Sequence, residues 1–449
     1  MATATKKRKT AKKKTAKKPA TAGDVMATAA EEATGRDILY VTCEARDVGE
    51  LHRDADGNWT FRYAGEWLDE GFVISVSMPL AETAYGLEAE RFFINLLPEG
   101  LIRQHIARRL GISEDNDWEL LAALGGDCAG ALAVRRSLPE EKADYRELPL
   151  DELRGLAASP HPGLAQIAGG QLRLSLAGAQ DKLPVRATET GAYSLPLGAA
   201  ASTHIIKFAG RDFAHLTANE VLVTDIGDRL DLPVVNARLD ARFDPPLCVV
   251  ERYDRAVDAD GTVRRIHQED VCQALGLPYT RKYEVEGGPD IGAVNALIQA
   301  HSPDPIGDTR SLIRWLIFAV LAGNADAHAK NLSLLHDGAA PRLAPFYDLL
   351  STCVYPGLSR KLALSVAGRS DPGQIGHADW IRLGELLDVR PTYVIELAAE
   401  MTEALPVVVE ESVAAFRETH GDLPVLQMVP PVLLRQTRCT RSLLSPKKS

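Results

Sequence analysis

The stretch 312–323, apolar apart from Arg314, runs directly into the polar loop Gly323-Asn324-Ala325-Asp326-Ala327-His328-Ala329-Lys330-Asn331 and out again into the apolar segment 332–335. It is shorter than the ~18 apolar residues a membrane span needs, so it reads as a buried helix. Gly323 suits a left-handed helix end. A polar loop pinned between two buried elements has little freedom, and the residues after it restrict it further. Asp337-Gly338 is a strong turn signal. Residues 342–345 should therefore return antiparallel to 332–335 and bring Tyr347-Asp348 to the same end as Asn331.

This geometry gathers a specific set of oxygens. Asp326 and Asn331 have four residues between them, the D-x-x-x-x-N spacing of a kinase catalytic loop. A carboxylate there can accept the proton of an attacking hydroxyl, and an amide oxygen is a hard ligand for Mg²⁺. Asp348 becomes the second metal ligand. Taken alone the spacing is common, and Asp and Asn in a loop are usually turn formers; the returning hairpin is what singles it out. A rival reading makes Asp326, His328 and Asp348 ligands of a hydrolytic transition metal, but only one histidine is in reach.

Upstream, strand-like segments at 172–176, 182–188, 192–196 and 204–208 predict a small antiparallel sheet, followed by a helix at 217–230 and a strand at 247–251. Lys207 interrupts the apolar strand 205–208. It either grips nucleotide phosphates and pairs with Glu220 on the next helix, or snorkels at a sheet edge. Glu220 is equally suited to a capping box, since Thr217-Ala218-Asn219-Glu220 fits S/T-x-x-E. The small residues of Ser175-Leu176-Ala177-Gly178-Ala179-Gln180-Asp181-Lys182 would let backbone N–H groups approach phosphate, or form an ordinary hairpin. Glu251-Arg252-Tyr253 lies where the β-rich part meets the helical part, the place of a kinase hinge or of a plain connector.

Further strands are expected at 59–63 and 72–76, and helices at 88–97 and 101–110. Beyond 252, helical periods fall at 268–275, 291–300, 310–321, 380–387, 393–404 and 408–417. Residues 258–261, Asp-Ala-Asp-Gly, are a hairpin turn and not a calcium loop. The first twenty residues hold nine Lys/Arg and no acid, leaving 42 basic against 61 acidic residues elsewhere, a balance of −19. Such a segment cannot bury enough apolar surface to offset chain entropy, so disorder is expected over 1–34. It could contact nucleic acid or merely solubilise the chain. Six scattered cysteines without metal-site spacing fit a reducing, cytoplasmic location, and no secretory or membrane-spanning segment is read.

In order along the chain, Leu174 to Lys182, Thr203-His204-Ile205-Ile206-Lys207, Val250 to Arg255, His267 to Gln273, Gly323 to Asn331 and Pro345-Phe346-Tyr347-Asp348 resemble the HipA family of bacterial Ser/Thr kinases from toxin–antitoxin modules. The similarity extends over about 40–434 and includes Phe93-Ile94-Asn95-Leu96-Leu97-Pro98-Glu99. The resemblance implies an α+β, two-lobed, protein-kinase-like fold. An amino-terminal module (37–150) would precede a β-rich nucleotide-binding lobe (151–250) and an α-helical catalytic lobe (251–435), with a flexible tail at 436–449. It implies ATP and Mg²⁺ as cofactors, Asp326 as general base, and Asn331 and Asp348 as metal ligands. Nucleotide contacts would come from Ala177, Gly178, Ala179, Gln180, Asp181, Lys182, Lys207, Glu251, Arg252, Tyr253, His328, Lys330 and Tyr347, and Ser175 would be an autophosphorylation site. Implied partners are a HipB-like DNA-binding antitoxin, DNA through it or through the basic segment, and an aminoacyl-tRNA synthetase substrate such as glutamyl-tRNA synthetase. DNA binding would add a nucleoid-associated location. The competing expectation is a catalytically silent corepressor that binds antitoxin and DNA.

Overall fold

The computed structural model describes residues 37–445 except 45, 139–142, 160–173, 176–179, 189, 211 and 339, and of Leu174 and Ser175 only the backbone. The Lys-rich segment 1–34, residues Ala177, Gly178 and Ala179, and residues 446–449 lie outside the described residues. By its internal contacts the chain divides into Met1–Ile38 and Leu39–Ser449, and every described strand and helix residue except Ile38 belongs to the second unit.

The amino-terminal module has strands β1 (Ile38–Cys43), β2 (Arg46–Arg53), β3 (Trp59–Tyr63), β4 (Asp127–Cys128) and β5 (Leu132–Arg135). Four of them form a sheet in the order β3-β2-β1-β5. Trp59, Phe61 and Tyr63 alternate inward, as the sequence pattern predicts. They pack on Phe92 and Phe93 of the helix Leu87–Ile94 and on Trp118 of the helix Asp117–Leu124.

The next strands are β6 (Asp144–Leu148), β7 (Leu174–Ser175), β8 (Lys182–Ala187), β9 (Tyr193–Leu197), β10 (His204–Lys207), β11 (Ala237–Asp240) and β12 (Leu247–Glu251). Six of them make an antiparallel sheet, β11-β12-β10-β8-β9-β6, while β7 pairs in parallel with β4. β6 lies before the expected boundary at 151, which therefore cuts through this sheet: its partner β9 is 45 to 53 residues downstream and invisible to a local boundary signal. Because successive side chains alternate faces, Leu183, Leu195, Ile206 and Val249 join the core of the amino-terminal module. Leu239, Cys248 and Val250 face the other way, into the core of the helices.

A hairpin of β13 (Arg255–Val257) and β14 (Val263–Arg265) comes next, closed by Asp258 N–H to Thr262 O at 2.9 Å. Then β15 (His267–Asp270), β16 (Ser333–His336) and β17 (Arg342–Leu343) form a second antiparallel sheet. The remainder is largely helical, with Ile291–His301, Pro305–Ala322, His377–Leu386, Pro391–His420 and Val425–Leu444 around one core. The architecture is α+β, with a β-rich amino-terminal region and a helical carboxy-terminal one, as the sequence implies.

Four local expectations are corrected. Residues 72–76 form no strand; the Glu269 carboxylate takes Ser75 Oγ at 2.6 Å and the Val76 N–H at 3.0 Å, so this backbone is satisfied by a distant side chain. Residues 268–270 are strand, not helix, since β15 pairs with β16 some sixty residues away; Asp270 then caps the helix Val271–Ala274. The expected helices at 393–404 and 408–417 are one, continuing through Pro406 with Leu405, Val408 and Val409 buried. Residues 436–444 are not a flexible tail, because Leu433, Thr437, Thr440 and Leu444 continue the buried face of the last helix.

The two cores meet at His267. Its Nε2–H donates to Ile74 O at 2.7 Å, and its Nδ1 accepts the Ala131 N–H at 3.4 Å, which selects one neutral tautomer. Burial, and then the neighbouring His336 ring, push its pKa down to about 3. Only the unfolded chain takes up that proton at mildly acidic pH, so this contribution to stability is complete above about pH 6.5 and drains away as pH falls towards 3. The expected slope is about 1.4 kcal/mol per pH unit. Urea unfolding between pH 7 and 5 should show it, with His267→Gln shallower by about that amount; parallel slopes would refute the assignment.

Candidate active site

Lys207 is the last residue of β10, and strand alternation turns it away from Ile206 towards the helical region, in register with Cys248 on one side and Lys182 on the other. There its ammonium lies 2.5 Å from Glu220 Oε1 and also contacts Asp348 Oδ1. Neither snorkelling nor capping describes these residues. The helix Leu216–Arg229 begins at His215, Thr217 Oγ1 donates to Pro246 O, and the Glu220 carboxylate is left for Lys207. Burial works against the Lys207 cation, but Asp348 and Glu220 more than compensate and push its pKa up. Burial also pushes up the Asp348 carboxyl; the Lys207 and then the Lys182 ammonium outweigh it and hold Asp348 down at about 2. Lys182, by contrast, is lowered by burial.

Gly323 ends the helix Pro305–Ala322 at φ +64°, and a Cβ there would come within 3.1 Å of Cys353 and Val432. The loop beyond it is fixed by the Ala325 N–H to Thr352 Oγ1 at 2.8 Å and the Asp326 N–H to Asn324 Oδ1 at 3.1 Å. Asp326 remains exposed, with Oδ1 accepting the Tyr283 hydroxyl at 2.7 Å. Asn331 Oδ1 accepts the His328 N–H at 2.9 Å, and its Nδ2 lies 3.4 Å from Asp348 Oδ2. The predicted hairpin is thus present and returns Asp348 to Asn331. Asp348 has φ +54°, a left-handed conformation costly for a residue with a Cβ. The strain is held in place by the neighbouring Phe346, whose N–H donates to Pro233 O and whose carbonyl accepts the Val235 N–H.

A cavity of about 1390 Å³ brings these groups together, lined among others by Lys182, Lys207, Tyr253, Asp326, Asn331 and Asp348. Its wall includes Tyr347 stacked on Tyr253, ring centroids 6.0 Å apart. The Tyr347 hydroxyl bonds Lys330 O and Ser333 Oγ. Gln180 reaches Phe208 O at 3.0 Å, and Asp181 O accepts the Phe208 N–H, so this end of the small-residue loop continues the pairing of β8 alongside the end of β10. His328 lines the cavity with Nδ1 buried and, among the described residues, without a hydrogen bond; burial, then the Lys282 charge, lower its pKa to about 4. Of Ser175, the backbone pairs with Cys128.

Three expected nucleotide contacts, Lys330, Arg252 and Glu251, line the cavity and also make contacts within the protein. Lys330 Nζ is buried against Asp270 Oδ2 at 2.8 Å and Asn95 Oδ1 at 2.8 Å, with Glu99 at 3.7 Å, so it ties the loop to the amino-terminal module. Arg252 turns into a buried cluster with Asp254 and Asp127. The Glu251 side chain points outward to Asn236, and the Glu251 and Arg252 amides donate to Asn236 O and Thr203 O, which leaves no donor for an adenine from either. Asn95, Glu99, Asp270, Lys282 and Tyr283 were not expected here. The local signs were polar Asn95 and Glu99 flanking Leu96-Leu97-Pro98 and Asp270 within His267 to Gln273, both in text that carried the family likeness.

The arrangement suits a nucleotide and a divalent cation. Asp348 and Asn331 present hard oxygen donors on adjacent side chains, and the Asn331 oxygen keeps a second lone pair beyond its one hydrogen bond. Among the described residues no group of three or more His, Cys, Asp or Glu could hold a metal, so the three-ligand hydrolytic site is not formed. No described helix is long and apolar enough to cross a membrane.

Comparison with known proteins gives a consistent likeness. The profile of the HipA N-terminal domain matches residues 39–135, and that of the HipA-like C-terminal domain residues 174–409. Y4mE of Sinorhizobium fredii, whose name carries only a provisional kinase assignment, is 41% identical over 76% of this chain and 84% of its own. The serine/threonine-protein kinase toxin HipA of Shewanella oneidensis is 32% identical over 73% and 78%. A chain of the solved complex of Shewanella oneidensis HipA, HipB and operator DNA superposes with a TM-score of 0.77 at 26% identity, covering 90% of this chain and 98% of that one.

Proposed function

Since the chain belongs to the HipA family, we propose that it is an ATP- and Mg²⁺-dependent protein serine/threonine kinase of toxin type. The observation that carries this reading is the convergence of Lys207, Glu220, Asn331 and Asp348 on one cavity with Asp326 beside it. Charge balance makes that convergence informative. A buried lysine held between two carboxylates is costly to assemble and has a clear use, since it can leave Asp348 for a phosphate when a divalent cation takes its place.

In this reading Lys207 and Lys182 hold the phosphates, Glu220 keeps Lys207 in place, and Gln180 and Asp181 close the loop over the nucleotide. Asp348 and Asn331 would hold Mg²⁺, which when bound neutralises the charge shared by the transferring phosphates. Asp326 accepts the proton of the acceptor hydroxyl as that oxygen takes the γ-phosphoryl group and ADP departs. Tyr253 and Tyr347 form the apolar wall for the base, and the neutral ring of His328 lies beside the phosphates. Lys330 and Arg252 have structural roles.

The acceptor is proposed to be an aminoacyl-tRNA synthetase, glutamyl-tRNA synthetase being the first candidate, and Ser175 a self-modification site. Phosphate there would add about −1.5 to −2 charge to a loop meant to surround phosphates and would repel the nucleotide. A HipB-like antitoxin and, through it, operator DNA are the proposed partners, by analogy with the Shewanella oneidensis complex. Incubation with [γ-³²P]ATP, Mg²⁺ and glutamyl-tRNA synthetase should label protein, abolished by EDTA, with mass spectrometry placing a phosphate on Ser175. Absence of label from every protein present, this chain included, would sink the kinase reading.

A further inference from the structure

We infer that Tyr283 is a positioning residue for Asp326, and that Glu99 of the amino-terminal module sets the frame in which it acts. The inference rests on the kinase reading and deepens it. Asp326 is an exposed side chain on a loop, free to rotate unless something holds it. The Tyr283 hydroxyl donates to its Oδ1 at 2.7 Å; among the described residues no hydrogen bond reaches Oδ2, which is left for the acceptor hydroxyl. Burial and then the Asp326 charge push the Tyr283 pKa up, so the phenol stays a donor and keeps its proton throughout.

Tyr283 is itself fixed on several sides. Its ring meets the edge of His328 with centroids 5.2 Å apart. The preceding residue, Lys282, accepts the Ala329 N–H on its carbonyl at 3.2 Å and places its ammonium 2.6 Å from Glu99 Oε2. The following residue, Glu284, takes the Ser365 N–H at 2.6 Å and its hydroxyl at 2.7 Å. Glu99 also lies 3.7 Å from Lys330, four residues after Asp326 in the same loop. One carboxylate of the amino-terminal module thus touches both segments whose relative placement decides the Tyr283 to Asp326 contact. A tyrosine serving only as packing would not need this polar reach.

The test uses the full chain and self-labelling by [γ-³²P]ATP with Mg²⁺, read as maximal rate, ATP concentration at half rate, and thermal midpoint. Tyr283→Phe should lower the maximal rate roughly 10- to 100-fold, as expected when a reacting group is misplaced by a fraction of an ångström to an ångström. The half-rate concentration and the midpoint should not move. Glu99→Gln should show a smaller loss of maximal rate together with a lowered midpoint, because it withdraws a carboxylate from Lys282 and Lys330; Tyr283→Phe should add no further loss to Asp326→Asn. A Tyr283→Phe rate within twofold of wild type, an equal loss in the Asp326→Asn background, or a Tyr283→Phe loss that tracks the half-rate concentration or midpoint would each overturn the inference. A wild-type chain that labels nothing overturns the kinase reading as well; an active wild type with inactive Asp326→Asn and fully active Tyr283→Phe overturns only the positioning role.

Discussion

Asp326→Asn should slow phosphoryl transfer by about 10²- to 10⁴-fold, the range lost with a general base, while ATP binding stays within about twofold of wild type. Asparagine keeps the shape of the side chain and an oxygen for the Tyr283 hydroxyl, so loop geometry survives. What it lacks is a basic lone pair for the acceptor proton. The nucleotide contacts proposed for Lys207 and Asp348 lie on other elements, β10 and the end of the β16 and β17 hairpin, and do not involve Asp326. A loss of this size corresponds to about 2.7–5.5 kcal/mol in the barrier. Rapid-quench labelling at saturating ATP, paired with calorimetric ATP titration, separates the two quantities. A transfer rate within threefold of wild type would remove Asp326 from the role of base, and a matching fall in ATP affinity would reassign it to binding.

Asp127→Ala should destabilise the fold by about 3–5 kcal/mol, the cost of leaving buried charge uncompensated. Asp127 accepts Arg265 Nη1 at 2.6 Å, Arg255 Nη2 at 3.0 Å and the Ser202 hydroxyl at 2.8 Å, with Arg252 at 3.6 Å. Without it, the buried Arg252 and Arg255 share Asp254, and Arg265 keeps, among the described residues, only the Ala200 carbonyl. Burial and then the Arg252 charge already lower the Arg255 pKa to about 10, so of the cluster's cations Arg255 has the least compensation to lose. The loss is a large fraction of the ~5–15 kcal/mol that holds a typical domain together. Because Asp127 lies in β4, the strand that pairs with Leu174–Ser175, the variant should also loosen the segment carrying Ser175. Denaturant unfolding of the purified variant gives the first quantity and hydrogen exchange at residues 174–175 the second. A cost below about 1 kcal/mol would mean that the cluster is rescued by water or by rearrangement of its arginines.

The parts of the site that were legible in the sequence are those whose geometry is local. Gly323 as a left-handed helix end, the polar loop, and the antiparallel return of 342–343 that brings back Asp348 follow from a few consecutive residues, and each is present. The strands at 59–63 and 247–251 were legible because alternation and β-branched or aromatic content agree there. By contrast, β15 read as helix, because residues 268–275 carry a helical period and the partner strand β16 lies some sixty residues away. Residues 72–76 read as strand, but Glu269, nearly two hundred residues later, takes their hydrogen bonds.

Local pattern and turn chemistry therefore determined the order of elements, the β-rich to helical progression, and the carboxylate and amide that share a loop. Which cation serves which carboxylate was decided only by the tertiary structure. Lys207 could snorkel nowhere and Glu220 could cap nothing once packing enclosed the two with Asp348, while Lys330 and Arg252 were drawn to Asp270 and Asp254. The physical reason is that a buried charge must be paired, and the cost of leaving one unpaired depends on every group within a few ångström. That neighbourhood is assembled from Asn95, Glu99, Asp270 and Tyr283, residues distant in the chain, and comes into being only when the fold closes.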